Sequence, residues 1–191
     1  KIYSSIWGPM NSRYKKNKYI SLYFPDPWNY KDNAYPEELN SFLKLPKYYA
    51  QNYLEVNKWK LFQSSFIFLI RLIFSKTFFY LLKNFYFFIS IILNKGFKNY
   101  ILFFILDLIS INLLTNHIKK KGTEFSLIFL NSLAHFQHNN WDEVNNNKIY
   151  FKIVDKICED LIYLEKFYQA SIIFNGFTQK KIKAEFIIRP I

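Results

Sequence analysis

Glycine is nearly absent, with 4 in 191 residues where ordinary usage is about 7%. Backbones that cradle phosphates need Gly-rich turns, and neither GxGxxG nor GxxxxGK[ST] occurs, which excludes a Gly-fingerprint dinucleotide fold and a Walker-type nucleotide site. Cysteine is scarcer still. Cys158 is alone, so no internal disulfide can form, and its apolar helical surroundings predict a buried, inert thiol. One cysteine does not fix the compartment, which stays open between cytoplasmic and membrane-associated. Arginine occurs only at 13, 71 and 189, so the net charge of +12 rests on lysine. Those lysines are scattered along the chain, whereas nucleic-acid binders gather Arg forks on one face; nucleic acid is not expected as a specific target. Charge-free apolar runs are also short of the 18 or so residues that mark a membrane span.

What the chain has in excess is apolar and aromatic: 51% hydrophobic, with 22 Phe and 15 Tyr. Lys, Asn, Ile, Phe and Tyr are inflated together, the pattern that A/T-rich codons impose on a whole chain. Enough apolar residues are present for the core of one ordinary domain, and intrinsic disorder is excluded. The chain opens at Lys1 with residues that already read as a strand and closes on another apolar segment, so an internal piece of a longer protein is expected.

Residues 2–7 and 19–24 read as short strands, the second closed by Pro25-Asp26-Pro27-Trp28, whose prolines forbid helix. Pro36-Glu37-Glu38 suits a helix start, and Pro46 should break or kink that helix. Residues 60–116 are dominated by Phe, Ile and Leu, interrupted by Arg71, Lys76, Lys83, Lys95 and Asp107, and predict three apolar helices. Two readings fit them: a packed helical insertion, or a hairpin lying at a membrane surface. Lys119-Lys120-Lys121-Gly122 marks a helix end, with cations at the negative pole and a Gly stop; His117 just before them fits the same dipole.

Beyond that point the period changes. Residues 125–130 read as a buried strand leading into the polar stretch 131–141; 148–167 show apolar residues at helical spacing, and 170–174 read as a strand. Strand, polar loop, helix, strand, polar loop is a βαβ unit, and in open parallel sheets functional groups collect at the carboxyl ends of strands. The expectation is an α/β fold, a mainly parallel sheet with flanking helices and an apolar helical insertion. Residues 1–58 and 123–191 form the α/β part and 59–122 the insertion or cap.

Four segments resemble the alkaline phosphatase superfamily, in its phosphodiesterase, nucleotide pyrophosphatase and sulfatase-like branches. They are Ser5-Ile6-Trp7-Gly8, Phe24-Pro25-Asp26-Pro27-Trp28, Phe129-Leu130-Asn131 with His135, His138 and Trp141, and Ile172-Ile173-Phe174-Asn175-Gly176-Phe177. The resemblance implies a hydrolase or transferase acting on phosphate or sulfate esters of a sugar, lipid or nucleotide conjugate, dependent on a divalent metal such as zinc. It places Asn131, His135 and His138 at the metal and Asp26, Asn175, Gln179 and Lys180 at the anionic substrate, with the nucleophile upstream of Lys1. His135 and His138, three apart, would share one helix face, which suits metal ligation; polar capping at a strand end accounts for them equally. The chain departs from the family at Asn131, where Asp is expected, and at Asn175-Gly176, which lacks the Asp-His pair; an amide is a poor zinc ligand beside a carboxylate. The alternative is a catalytically inactive fold kept for binding or for assembly at a membrane surface through residues 60–116.

Overall fold

The computed structural model describes residues 2–8, 17–52, 54–95, 99–139 and 148–173. They form the expected α/β arrangement. Strands β1 (Ser4–Trp7), β2 (Ile20–Phe24) and β3 (Phe125–Ile128) make a parallel sheet in the order β2-β1-β3. Parallel strands need a crossover, and the one that leaves β2 and passes β1 to reach β3 carries a 3-10 turn (Glu37–Leu39) and helices α1 (Asn40–Asn52), α2 (Lys58–Ile73), α3 (Lys76–Lys83), α4 (Phe85–Lys95) and α5 (Asn99–Lys121). Two further helices come after β3: α6 (Ser132–Asn139) and α7 (Lys148–Glu165).

Alternation in β1 buries Ser5 and Trp7 on one face. Trp7 stacks on Phe24 of β2 at 4.1 Å between ring centroids, and both pack with Leu22 against Ile109, Leu114 and Ile118 of α5. Ser5 instead enters a hydroxyl cluster with Thr123, Ser126 and Tyr168, which satisfies a polar side chain in the middle of the sheet and ties the end of α7 to it.

The opposite side of α5, with Tyr100, Ile101, Phe104 and Leu108, is buried against Phe136 of α6 and Ile149, Ile153 and Ile157 of α7. α5 is long and apolar enough to cross a membrane, yet its apolar length is explained by burial on two sides within the protein. It ends as expected: Gly122 takes a left-handed φ of +66° and its N–H returns to the Ile118 carbonyl.

Several expectations are corrected. Residues 60–116 hold four helices, not three, because polar side chains stop the apolar run twice. The Ser75 hydroxyl bonds the Leu72 carbonyl and the Asn84 amide bonds the Tyr80 carbonyl, diverting groups from the helix ladder; α2 and α3 meet there at 89°. Pro46 lies inside α1 without ending it; burial of Phe42, Leu43 and Ala50 outweighs the one ladder bond that proline removes. β3 is half-buried, and among the described residues it forms an edge of the sheet. Residues 170–173 form no strand: they pair with nothing in the sheet, and Ile172 is 86% exposed. Cys158 is exposed, since the buried stripe of α7 runs through Ile149, Ile153, Ile157 and Leu164 and position 158 turns about 100° away from it.

Candidate functional site

All three strands deliver their carboxyl ends to one edge of the sheet. There the Gly8 N–H bonds the Phe24 carbonyl at 2.7 Å and the Phe129 N–H bonds the Trp7 carbonyl at 2.9 Å, so the exits of β1, β2 and β3 are tied together. Gly8 has a φ of +70°, and a Cβ there would stand 3.2 Å from the Phe129 carbonyl oxygen. Both the turn and the close approach require glycine.

The exit of β3 runs straight into α6, and its organiser is Asp107 from the middle of α5. One carboxylate oxygen accepts the Ser132 N–H at 2.8 Å and the Asn131 N–H at 3.1 Å. These are first-turn donors that a helix cannot satisfy internally, so a buried carboxylate from a neighbouring helix caps α6 and meets the positive end of its dipole. Burial pushes the Asp107 carboxyl up to about 6, against the backbone N–H groups that favour its charged form. The Ser132 hydroxyl lies close enough to favour the same ionised form without hydrogen-bond geometry to it.

Among the expected site residues, the structure joins Asn131 and His135: the Asn131 amide nitrogen is 3.3 Å from His135 Nε2. An amide nitrogen only donates, so this ring nitrogen accepts. The ring also stacks flat on Phe103 of α5, with centroids 3.7 Å apart. His138 lies one turn further along α6, but its side chain is outside the described residues, as are Trp141, Asn175, Gln179 and Lys180. Asp26 leaves the same sheet edge from β2, with β1 between it and Asn131. Its carboxylate accepts the Trp28 N–H at 2.8 Å, a local turn, and burial raises its carboxyl against that bond.

Among the described residues no group of three His, Cys, Asp or Glu side chains could hold a metal. Here the donor set is an amide and an imidazole nitrogen engaged with each other, while Asp107 is spent on the α6 cap; zinc ordinarily takes three or more protein ligands. These donors alone do not fit a metal centre. His117 is also placed differently from its expected role: its Nε2 is 3.0 Å from the Ser21 hydroxyl of β2. Burial, with Lys121 and Lys120 beside it, lowers its pKa, so it acts as a neutral hydrogen-bonding group more than as a cation at the dipole.

A second feature lies on α2–α4. Trp59, Phe62, Phe66, Leu69 and Ile73 recur at alternating steps of three and four, which places them on one face of α2, and all five are exposed. Trp59 is 67% exposed and stacks on Phe62, which stacks on Phe66. At the α2–α3 elbow Phe74 is 84% exposed; Phe79 and Leu82 of α3 and Phe85, Tyr86 and Leu93 of α4 are exposed as well. α2 is apolar on both sides: Phe68 and Leu72 face the core while the stripe faces outward. Lone exposed apolar residues need no explanation, but a stripe of stacked, exposed aromatics such as the one on α2 is the kind of feature that interaction surfaces carry. The three-four spacing was visible in the sequence, but which apolar face turns inward was not.

Comparison of the chain with protein-family models, with curated proteins and with solved structures finds no match.

Proposed function

We propose that this chain works at a membrane surface, docking on the bilayer interface through the outward face of α2–α4 while the α/β core stays in the aqueous phase. The observation that carries it is the exposed aromatic and aliphatic stripe Trp59, Phe62, Phe66, Leu69 and Ile73, continued at the elbow by Phe74. Interfacial helices bury such a face in the headgroup and acyl boundary, and Trp and Phe favour that depth. A span does not suit these helices: α2 and α3 reach the necessary length only as a pair, and they are bent by 89°.

Flotation of the intact chain with phospholipid vesicles tests the reading. Wild-type protein should float with the vesicles, and the Trp59→Gln, Phe66→Gln, Phe74→Gln variant should lose at least about tenfold in partitioning, since each large apolar side chain moved out of water contributes on the order of 1 kcal/mol or more. All three are exposed, so circular dichroism should be unchanged. Wild-type protein that ignores vesicles and self-associates, with the triple variant monomeric, refutes membrane docking and makes the stripe a contact between copies.

A second reading is ester hydrolysis or transfer of the alkaline phosphatase type. It is supported by the position of Asn131 and His135 just past a parallel strand, where α/β enzymes place their sites. A metal there would need donors in addition to these two. Elemental analysis of the protein containing this chain checks it: bound zinc that disappears in the His135→Ala, His138→Ala variant supports the reading, and a metal-free wild type removes it.

A further inference from the structure

We infer that the α2–α4 face selects anionic phospholipid headgroups over neutral ones, an inference that rests on the membrane-docking reading. Between Glu55 and Asp107 the chain carries seven cations and not one carboxylate. Five of them, Lys58, Lys60, Arg71, Lys76 and Lys83, lie in described parts of α2 and α3, and all five are exposed. At 3.6 residues per turn, Lys58 falls beside the apolar stripe of α2, whereas Lys60 and Arg71 lie well round the helix from it; Lys76 and Lys83, which open and close α3 beyond the elbow, stand within about 60° of Phe79 around that helix. Long basic side chains at the rim of an apolar face can lay their stems along it and keep their charges at headgroup level.

Among the described residues, the acidic groups nearest in sequence or contact to this face are Glu55, Asp160, Glu159 and Asp107, and all but Glu55 are engaged. Glu55 precedes α2 in an exposed loop. Asp160 on α7 takes the Tyr80 hydroxyl of α3, and both Asp160 and Glu159 pair with Lys156, at 3.2 and 3.1 Å. Asp107 is buried on the α6 cap. No carboxylate of α2, α3 or α4 opposes an anionic surface, and Lys58, Lys76 and Lys83 add to its attraction. Each Lys or Arg near such a surface strengthens binding about fivefold.

The test compares vesicles of phosphatidylcholine alone with vesicles in which part of it is replaced by phosphatidylserine, using the intact chain at low and high salt. The expected result is stronger partitioning to the anionic vesicles, weakened by salt, and a loss of about 25-fold on those vesicles in the Lys58→Gln, Lys76→Gln variant with little change on neutral ones. Lys148→Gln, Lys152→Gln removes the same charge from exposed positions of α7 and should cost much less. Equal partitioning to both vesicle types overturns the headgroup selectivity and leaves membrane docking intact. An equal loss in the two double variants also overturns it, because net charge alone would then explain the binding. Absence of wild-type binding to either vesicle type overturns the docking reading and this inference together.

Discussion

Replacing Asp107 by Asn or Ala separates the charge of the buried cap from its hydrogen bonds. A carboxyl lifted from 3.8 to about 6 binds its proton more tightly in the folded than in the unfolded chain. Between those values the folded state holds more protons, so stability falls as pH rises. Below the unfolded value the contribution is absent; above the folded value the full penalty is present, about 3 kcal/mol. Between pH 5 and pH 7 the increment is about 1 kcal/mol. In Asp107→Asn the new amide would offer an oxygen to the same two N–H groups without the charge, and its own N–H could reach the unpartnered Ser132 hydroxyl. Urea unfolding at the two pH values should therefore show wild type losing about 1 kcal/mol more than Asp107→Asn as pH rises. The difference between the two proteins cancels every other titrating group. Asp107→Ala leaves the N–H groups of Asn131 and Ser132 buried without an acceptor, at about 1–3 kcal/mol each. Its destabilisation should be larger at pH 5 than at pH 7, because less of the charge penalty is relieved at the lower pH. Parallel pH profiles for wild type and Asp107→Asn, or no cost of Asp107→Ala at pH 5, would refute the assignment of Asp107 as a strained but necessary cap.

Two further substitutions test the sheet. Gly8→Ala forces a side chain into a left-handed φ and against the Phe129 carbonyl, and should lower the urea midpoint by the equivalent of about 1–2 kcal/mol; an unchanged midpoint means that the β1 exit can relax. Tyr168→Phe removes the hydroxyl that bonds Thr123 and Ser126, at about 1 kcal/mol. Hydrogen exchange should accelerate at the end of α7 in that variant, whereas uniform acceleration across the chain would show that the cluster is not a local tie.

The legible parts of the fold were those whose signal is local. Strands β1 and β2 are bounded by turn residues, α7 repeats its buried isoleucines at helical spacing, and Gly122 stops α5 after three lysines. What failed depended on partners. Residues 170–173 have strand composition but no ladder to join, and Cys158 misses the buried stripe by one position in a helix whose pattern alone allowed either outcome. At the site, proximity of Asn131 and His135 followed from their spacing on one turn, but Asp107 stands 24 residues upstream of Asn131. In the sequence it looked like an interruption of an apolar run. A lone carboxylate in such a run was itself a signal, because burying a charge without partners is too costly to persist.

α2 and α5 are both dominated by Ile, Leu and Phe and have opposite surroundings, so their apolar content cannot assign either one. A/T-rich codons raise Phe and Ile in both. The same codons raise Lys without removing Glu or Asp, whose codons are also rich in A and T at two of three positions. At the chain's overall frequency, 14 acids in 191 residues, a stretch as long as 56–106 would hold several. Their absence from that stretch is therefore not a by-product of codon usage, and it falls on the helices that expose their apolar faces. In α5, by contrast, the single acid is buried and satisfied by two backbone donors. Where a polar group can be given partners, the apolar helix belongs to the core; an exposed apolar face without acids is the pattern expected where an external surface supplies the missing partner. On the reading proposed above, a negatively charged bilayer surface would meet both halves of that demand, taking the apolar stripe into its acyl boundary and the lysines at its headgroups.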